Sequence, residues 1–269
     1  MKVFVVSDME GVAGITKWEQ VMAGKSQYEE GRKLYTEEIN AAVRGAFTGG
    51  ATEVVVMDCH GAGDGYTFNS LVHEDLDERC AYVVQKDWTE YTGILEEGCD
   101  AALFIAMHAM AGTAYGVLNH TVSGTNWFSL RFNGVEVGET GINAALCGNW
   151  GCPVLLVTGD EAVCAEAEAL LGPGLNTVAV KKGLGRFSAR HLAPRRAREL
   201  IEAAAAEALK DLKTVDPYDP GRPCEVEVTM TRSDQTEPFR YRAGVEITGS
   251  RTIVSRADDW WTAWRQIYL

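Results

Sequence analysis

The chain has 269 residues, of which 46% are hydrophobic and 23% charged, so it can bury one large core or a major and a minor one. Its 25 basic and 38 acidic residues give a net charge of −13, which repels phosphate backbones and disfavours nucleic-acid binding. No apolar run reaches the roughly 18 residues of a membrane span, and Met1-Lys2 leads directly into a strand-like segment rather than a signal peptide, so we expect a cytoplasmic protein with no membrane partner.

The first part of the chain alternates strand-like and helix-like segments. Residues 26–47 place apolar or small side chains among charges, as in an amphipathic helix, and Gly49-Gly50 ends that helix. The predicted strands of this part are 2–7, 53–58, 82–84 and 101–107, and its second predicted helix is 91–98.

A hairpin signal opens the next part of the chain. Asn133-Gly134, a dipeptide that favours a tight β-turn, lies between strand-like segments 128–132 and 135–137, and Glu139 opens the following helix. The later elements of this part are strands 154–158 and 177–181 and helices 161–171 and 194–212. The alternating order predicts an α/β fold with a mainly parallel sheet and helices on both faces.

The pattern changes after about residue 215, where three prolines interrupt it, at 217, 220 and 223. Strands 225–230 and 245–247 and a terminal helix 257–268 follow. We therefore expect residues 1–214 to form an α/β catalytic domain, with 215–269 as a small appended α+β layer that does not fold independently.

The terminal helix carries three tryptophans at helical spacing, Trp260, Trp261 and Trp264. This arrangement favours an apolar anchor or a subunit contact over an aromatic box for substrate. The seven cysteines include no C-x-x-C pair, so they indicate reduced, mostly buried thiols rather than a disulfide framework or a thiolate zinc site.

Five residues that can bind metal lie where an apolar strand-like run gives way to a loop or helix. Open α/β sheets collect their functional groups at the carboxyl ends of their strands, because strand interiors tolerate few polar groups. The five residues are Asp8, Glu10, His60, His108 and Glu139.

Each of these residues also has a structural interpretation. Asp8 can be a turn former, His60 an exposed histidine of a glycine-rich loop, and His108 a core histidine. Glu139 can offset a helix dipole. Glu10 strengthens the functional interpretation, because residues i and i+2 of an extended segment point the same way and two buried carboxylates need a cation between them.

Imidazole and carboxylate ligands without thiolates suit zinc, and also manganese, cobalt or iron. Three carboxylates and two histidines exceed the needs of one tetrahedral ion and suit a two-metal site with one bridging carboxylate. Such a site activates water, so hydrolysis is the expected reaction. The chain lacks the glycine-rich fingerprint and the Walker lysine motif of nucleotide-binding enzymes.

Several motifs together resemble the DppA-type D-aminopeptidase family. They are Ser7-Asp8-Met9-Glu10-Gly11, Asp58-Cys59-His60, the segment from His108 through Asn119-His120-Thr121, and Val137-Gly138-Glu139-Thr140-Gly141. The resemblance implies an aminopeptidase with two zinc ions per chain that acts on short peptides with D- or otherwise unusual small N-terminal residues, such as D-alanine. It also implies assembly into a homodecamer with the active sites facing an inner chamber.

The resemblance also implies a role for each site residue. Asp8 would bridge the two metals, with Glu10 and His60 at one ion and the pair His108 and Glu139 at the other. His120 matches the family's catalytic histidine that does not bind metal. Its structural alternative is a histidine paired with the backbone of its own loop.

Two other functions stay open at this point. Asp8-x-Glu10 after a first strand is also how metal-dependent exonucleases of the ribonuclease H-like type begin, although the acidic composition and the absence of a late H-x-x-x-D fit poorly. A non-catalytic peptide-binding protein stabilised by metal is the second.

Three basic residues have two possible roles. They can place positive charge near a substrate carboxylate, or can simply form a solvated basic surface; they are Lys181, Lys182 and Arg186.

Overall fold

A computed structural model describes residues 1–86 and 92–268 of the chain. The described residues form twelve strands: β1 (Lys2–Ser7), β2 (Glu53–Asp58), β3 (Ala81–Val83), β4 (Ala101–Met107), β5 (Trp127–Phe132), β6 (Val135–Glu136), β7 (Val154–Asp160), β8 (Asn176–Gly185), β9 (Ser188–His191), β10 (Cys224–Met230), β11 (Val245–Ile247) and β12 (Thr252–Ala257). They also form seven α-helices: α1 (Trp18–Val21), α2 (Tyr28–Thr48), α3 (Gly93–Glu96), α4 (Glu139–Asn149), α5 (Glu161–Leu171), α6 (Pro194–Ala208) and α7 (Trp260–Tyr268). Within these described ranges, no helix is long and apolar enough to cross a bilayer.

The larger sheet has the strand order β3-β2-β1-β4-β7-β8-β9. All its pairings are parallel except the last, between β8 and β9. Helices α2 and α6 pack against each other on one face, and α4 and α5 pack together on the other. The expected mainly parallel sheet with helices on both faces is confirmed.

The register of the central strands decides where the loops after them lie. Ser7, the last residue of β1, pairs with Asp58 at the end of β2 and with Ile105 near the end of β4. The side chains of β1 and β4 are almost completely buried, as expected for the central strands of a sheet covered on both faces. The segments that follow these three strands therefore start from one edge of the sheet.

A second, five-stranded sheet has the order β11-β12-β10-β5-β6 and is antiparallel. The predicted Asn133-Gly134 hairpin is present as β5 and β6, and β5 pairs with β10 from the C-terminal part of the chain. Residues after 215 thus build their sheet together with the hairpin. The division of the chain at residue 214 stays a prediction.

Several element boundaries differ from those expected. Predicted strand 177–181 is longer in the structure, as β8. It forms an antiparallel hairpin with an unpredicted edge strand, β9. Helix 194–212 ends at Ala208, and Ala257 belongs to β12, where it pairs with Cys224, rather than to the terminal helix. The predicted helix 91–98 is the single turn α3, and its first residue, Tyr91, lies outside the described residues.

The side chains of α7 cover the second sheet. Trp260 and Trp264 are buried with stacked rings 5.9 Å apart, and Phe132 of β5 meets the Trp260 ring edge-on at 5.7 Å. The tryptophans therefore act first as an apolar anchor.

The seven cysteines are free thiols, and four of them are buried.

The contact between α2 and α6 depends on Gly45. A Cβ atom there would lie 2.3 Å from the Glu202 carbonyl oxygen and 2.7 Å from the Ala205 Cβ. Both distances are far below van der Waals contact, so any larger residue must push the helices apart.

We predict that Gly45→Ala destabilises the protein by about 1–3 kcal/mol, because overpacking outweighs the gain of about 1 kcal/mol in helix propensity. Urea denaturation measures this change. Gly249→Ala, at an exposed glycine whose nearest neighbour atom would be 3.7 Å away, is the matched control and should leave the midpoint unchanged. A Gly45→Ala protein as stable as the wild type would contradict the tight helix contact.

Candidate metal centre

The carboxylate of Asp8 lies between two histidines from different strands. Its Oδ1 is 3.2 Å from His60 Nδ1, and its Oδ2 is 3.2 Å from His108 Nε2. Asp8 follows β1, His60 follows β2 and His108 follows β4, so the shared sheet edge brings the three together. One oxygen of a single carboxylate thus faces each imidazole.

Each histidine also faces a second carboxylate. Glu10 Oε2 is 3.0 Å from His60 Nδ1, and Glu139 Oε1 is 3.4 Å from His108 Nε2. Glu139 begins α4, as expected, and also accepts a hydrogen bond from the Val122 N–H at 2.8 Å. The structure therefore brings all five predicted ligands into one cluster.

The outer nitrogen of each histidine is held by a backbone carbonyl. His60 Nε2 donates to the Val21 oxygen at 2.6 Å, and His108 Nδ1 donates to the Ala109 oxygen at 3.0 Å. In the neutral ring this leaves the lone pair on the nitrogen that faces the carboxylates. Both rings are thereby held with that nitrogen towards the carboxylates, as the predicted ligand roles require.

His120 lies beside the cluster and nearer to solvent. Its ring stacks on that of His108 at 4.0 Å, and the Trp18 ring meets it edge-on at 5.6 Å. Its Nδ1 donates to the Leu118 oxygen at 2.9 Å, and its Nε2 is 3.7 Å from Glu139 Oε1. The side chain is 15% exposed, against 1% for His108, so His120 faces the cavity.

The pKa values within the cluster indicate a strong preference for positive charge. Burial alone raises the pKa of Asp8, but the close contacts with His108 and His60 and their positive charge outweigh it and hold that pKa well below its usual range. Burial lowers the pKa of both histidines, yet Glu10 beside His60 and Glu139 beside His108 raise these pKa values well above the ordinary one. The buried carboxylates thus favour positive charge among them, from protonated imidazoles or from a metal ion.

Two further observations fit a metal ion. Glu10 Oε2 and His108 Nε2 are buried and have no hydrogen-bond partner among the described residues; the 3.0 Å contact of Glu10 with His60 lacks hydrogen-bond geometry. Ligand atoms of Asp8, Glu10 and His108 lie within 4.8 Å of one another, as do those of His108, His120 and Glu139. Oxygen and imidazole donors of this kind suit zinc.

The backbone of His60 is fixed by Asp58, which the sequence placed only in a motif. Asp58 Oδ1 accepts from the His60 N–H at 2.9 Å and from the Tyr35 hydroxyl at 3.0 Å, and its Oδ2 accepts from the Ser70 N–H. Sequence reasoning missed Tyr35, because nothing in helix α2 marks it apart from other core aromatics.

Lys181 points into the protein interior rather than to solvent. Its side chain is buried, and its Nζ donates to the carbonyl oxygens of Glu10, Val12 and Ile15, with the last two at 2.9 and 2.8 Å. Burial lowers its pKa to about 8. Lys181 therefore holds the loop that carries Glu10, whereas Lys182 is exposed and pairs with Glu161 at 2.7 Å.

A half-buried histidine supports the same loop. The Gly14 N–H donates to His191 Nδ1 at 2.9 Å, so the ring must be neutral at that nitrogen. Burial, together with the charge of Lys181, lowers the pKa of His191 to about 4. The folded protein resists protonation at a pH where the unfolded chain accepts it.

We predict that stability falls as the pH drops from about 6.5 towards 4, because the unfolded chain binds the His191 proton first. His191→Asn, which keeps an acceptor but does not titrate, should lose about 1 kcal/mol less than the wild type between pH 7 and pH 5, after allowance for solvent screening. Urea denaturation at several pH values measures the difference. His73→Asn, at an exposed histidine, is the control; parallel curves for His191→Asn and wild type would contradict the prediction.

The cluster opens into a cavity of about 540 Å³. Its walls include Trp18, His120 and Arg186, and also Trp264 and Tyr268 of α7. The terminal helix thus both anchors the second sheet and forms part of the cavity wall. A cavity of this size holds a small molecule or a few residues of peptide.

A buried cluster of carboxylates and imidazoles at the carboxyl edge of a mainly parallel sheet is typical of metal-dependent hydrolases. The family model described as D-aminopeptidase, peptidase family M55, matches residues 1–269. The chain belongs to the D-aminopeptidase family and is a peptidase hydrolase, which confirms the family resemblance seen in its motifs.

Two known proteins support this assignment. The chain is 34% identical over 273 residues to a D-aminopeptidase of Bacillus subtilis (strain 168), covering 100% of this chain and 96% of the relative. The Zn-dependent D-aminopeptidase DppA from Bacillus subtilis, described as a self-compartmentalizing protease, has a similar structure with a TM-score of 0.91 and 32% identity, covering 99% of this chain and 95% of DppA.

Proposed function

We propose that the chain is a zinc-dependent aminopeptidase that removes the N-terminal residue of short peptides, with a preference for D-amino acids or small unusual residues such as D-alanine. The observation that carries the proposal is the Asp8 carboxylate, whose two oxygens each face a different histidine. The zinc dependence of DppA supports the choice of metal. Manganese, cobalt and iron are the proposed substitutes.

We assign two zinc ions to each chain. Asp8 would bridge them, with Glu10 and His60 at one ion and the pair His108 and Glu139 at the other. Four carboxylate–imidazole contacts of 3.0 to 3.4 Å support this assignment. They join Asp8 to His60 and to His108, Glu10 to His60, and Glu139 to His108. It also gives partners to the two buried orphan atoms, Glu10 Oε2 and His108 Nε2.

The bound metals would supply Lewis acidity, which activates water and polarises the peptide carbonyl. His120 is the proposed catalytic residue. Its Nδ1 is engaged by the Leu118 carbonyl, so its Nε2 is available on the cavity side to stabilise the developing oxyanion or to deliver a proton to the leaving amine. Trp18 packs against its ring and limits the orientations it can adopt.

His120 has a competing role as a metal ligand, because its ligand atoms lie within 4.8 Å of those of His108 and Glu139. The two roles differ in one measurable respect. A ligand is needed for the metal to stay bound, whereas a proton carrier is needed only for turnover.

The experiment that tests the function compares the hydrolysis of D-alanyl and L-alanyl p-nitroanilides with and without a chelator. We expect cleavage that favours the D-alanyl substrate and is lost on chelation.

His120→Ala should keep the full metal content but lose turnover by about 10²-fold or more. Reduced metal content in that variant would identify His120 as a ligand, and unchanged turnover would remove it from the mechanism.

Asp8→Ala should lose both metal ions, because each ion would then keep only its remaining pair of ligands, without the bridge. Glu10 and Glu139 would be left beside His60 and His108. Elemental analysis after gel filtration measures the metal content. Asp216→Ala, at an exposed aspartate, is the control and should retain the wild-type content. An Asp8→Ala protein that holds two ions per chain would contradict the bridging role.

Membership of a peptidase family sets aside the exonuclease and the non-catalytic binding protein. We also propose that the chain forms a homo-oligomer, with a decamer as the expected number of subunits. The self-compartmentalizing character of DppA supports this assembly. The cytoplasmic location stays a prediction of the sequence.

A further inference from the structure

We propose that Arg186 binds the terminal carboxylate of short peptides and thereby selects substrates whose carboxyl end lies within the cavity. This inference rests on the proposed aminopeptidase function. The cavity is lined by Asp8, Glu10 and Glu139, whose carboxylates are assigned to the metal ions, and Arg186 is the one lysine or arginine among the described residues that line it. Arg186 is therefore the side chain of this cavity that suits an anionic group of the substrate.

Arg186 is fixed beside the loop of the proposed catalytic histidine. It lies at the tip of the β8–β9 hairpin, where its carbonyl oxygen accepts from the Leu118 N–H at 2.9 Å and its Nη2 donates to the Asn119 oxygen at 2.9 Å. A Cβ atom built on Gly124 would lie 3.9 Å from the Arg186 Nη2 and 3.6 Å from the His120 Cβ, so both side chains adjoin Gly124. The guanidinium is thus held close to His120.

The guanidinium has donors to spare. It uses one N–H on the Asn119 carbonyl, and no carboxylate of residues 1–86 or 92–268 forms an ion pair with it. The rings of Trp18 and Phe187 lie 5.8 and 5.5 Å from it and provide cation–π contacts that orient its plane. An arginine held in this way matches a carboxylate with two parallel hydrogen bonds.

The chemistry of the substrate supplies the matching charges. A short peptide has an ammonium group at one end and a carboxylate at the other. Once two zinc ions are bound, their charge offsets that of the three cluster carboxylates, whereas the net charge of −13 of the chain still disfavours the peptide carboxylate. Arg186 offsets that repulsion at one place in the cavity, so a substrate with both ends inside is favoured over a longer or amidated one.

The test compares two substrates that differ only in terminal charge, D-alanyl-glycine and D-alanyl-glycinamide. For the wild type we expect a higher kcat/KM on the acid. Arg186→Gln should raise KM for the acid about five- to tenfold with little change in kcat, and should leave the amide unaffected. Arg186→Lys, which keeps a charge without the planar fork, should retain part of the preference for the acid.

The control is Arg190→Gln, at an exposed arginine of the same hairpin that does not line the cavity, which should keep the wild-type ratio of acid to amide. Circular dichroism and metal content confirm that each variant is folded and loaded. An acid-to-amide ratio unchanged by Arg186→Gln overturns the inference while the proposed function stands. A loaded wild type that cleaves neither substrate overturns the proposed function and this inference with it.

Discussion

The site depends on the electrostatic need of buried carboxylates for positive charge. Asp8 and Glu10 are almost fully buried, and such groups are tolerated only when paired with a cation or with donors. Two imidazoles meet this need in part, and their outer nitrogens are committed to backbone carbonyls. The sheet makes the arrangement possible, because β1, β2 and β4 end in register at one edge. A shift of one residue in any of these strands would turn a ligand into the core.

The main features of the fold and the clustering of the five candidate ligands could be predicted from the sequence because both follow from local patterns. Apolar runs mark the central strands, and the polar residue after each run marks the edge at which the runs end. Lys181 could not be assigned in this way. Its role follows from the position of β8 across the sheet from the loop after β1, a contact between residues about 170 positions apart. Tyr35 and Asp58 depend on a similar long-range contact between α2 and β2.

The second sheet shows the same limit of local signals. The Asn133-Gly134 turn predicts the β5–β6 hairpin well, but nothing near it indicates that β10 will pair with β5 from more than 90 positions away. Strand β12 was missed since its residues lack a clear alternating pattern, and its stability comes from pairing with both β10 and β11. Non-local pairing of this kind also joins the C-terminal part of the chain to the cavity, whose wall includes Trp264.

The β8–β9 hairpin contains two groups with different duties. Lys181, in the strand, is buried and holds the loop after β1, whereas Arg186, at the tip, is exposed and lies at the cavity. The residue in the strand is constrained because its ammonium group donates to three carbonyl oxygens. A shorter or uncharged side chain cannot make these three hydrogen bonds. The tip is held by two hydrogen bonds to a neighbouring loop and by the cation–π contacts of Arg186 with Trp18 and Phe187. Changes at the tip can therefore alter the cavity wall, while the support beneath the candidate metal ligands is left intact.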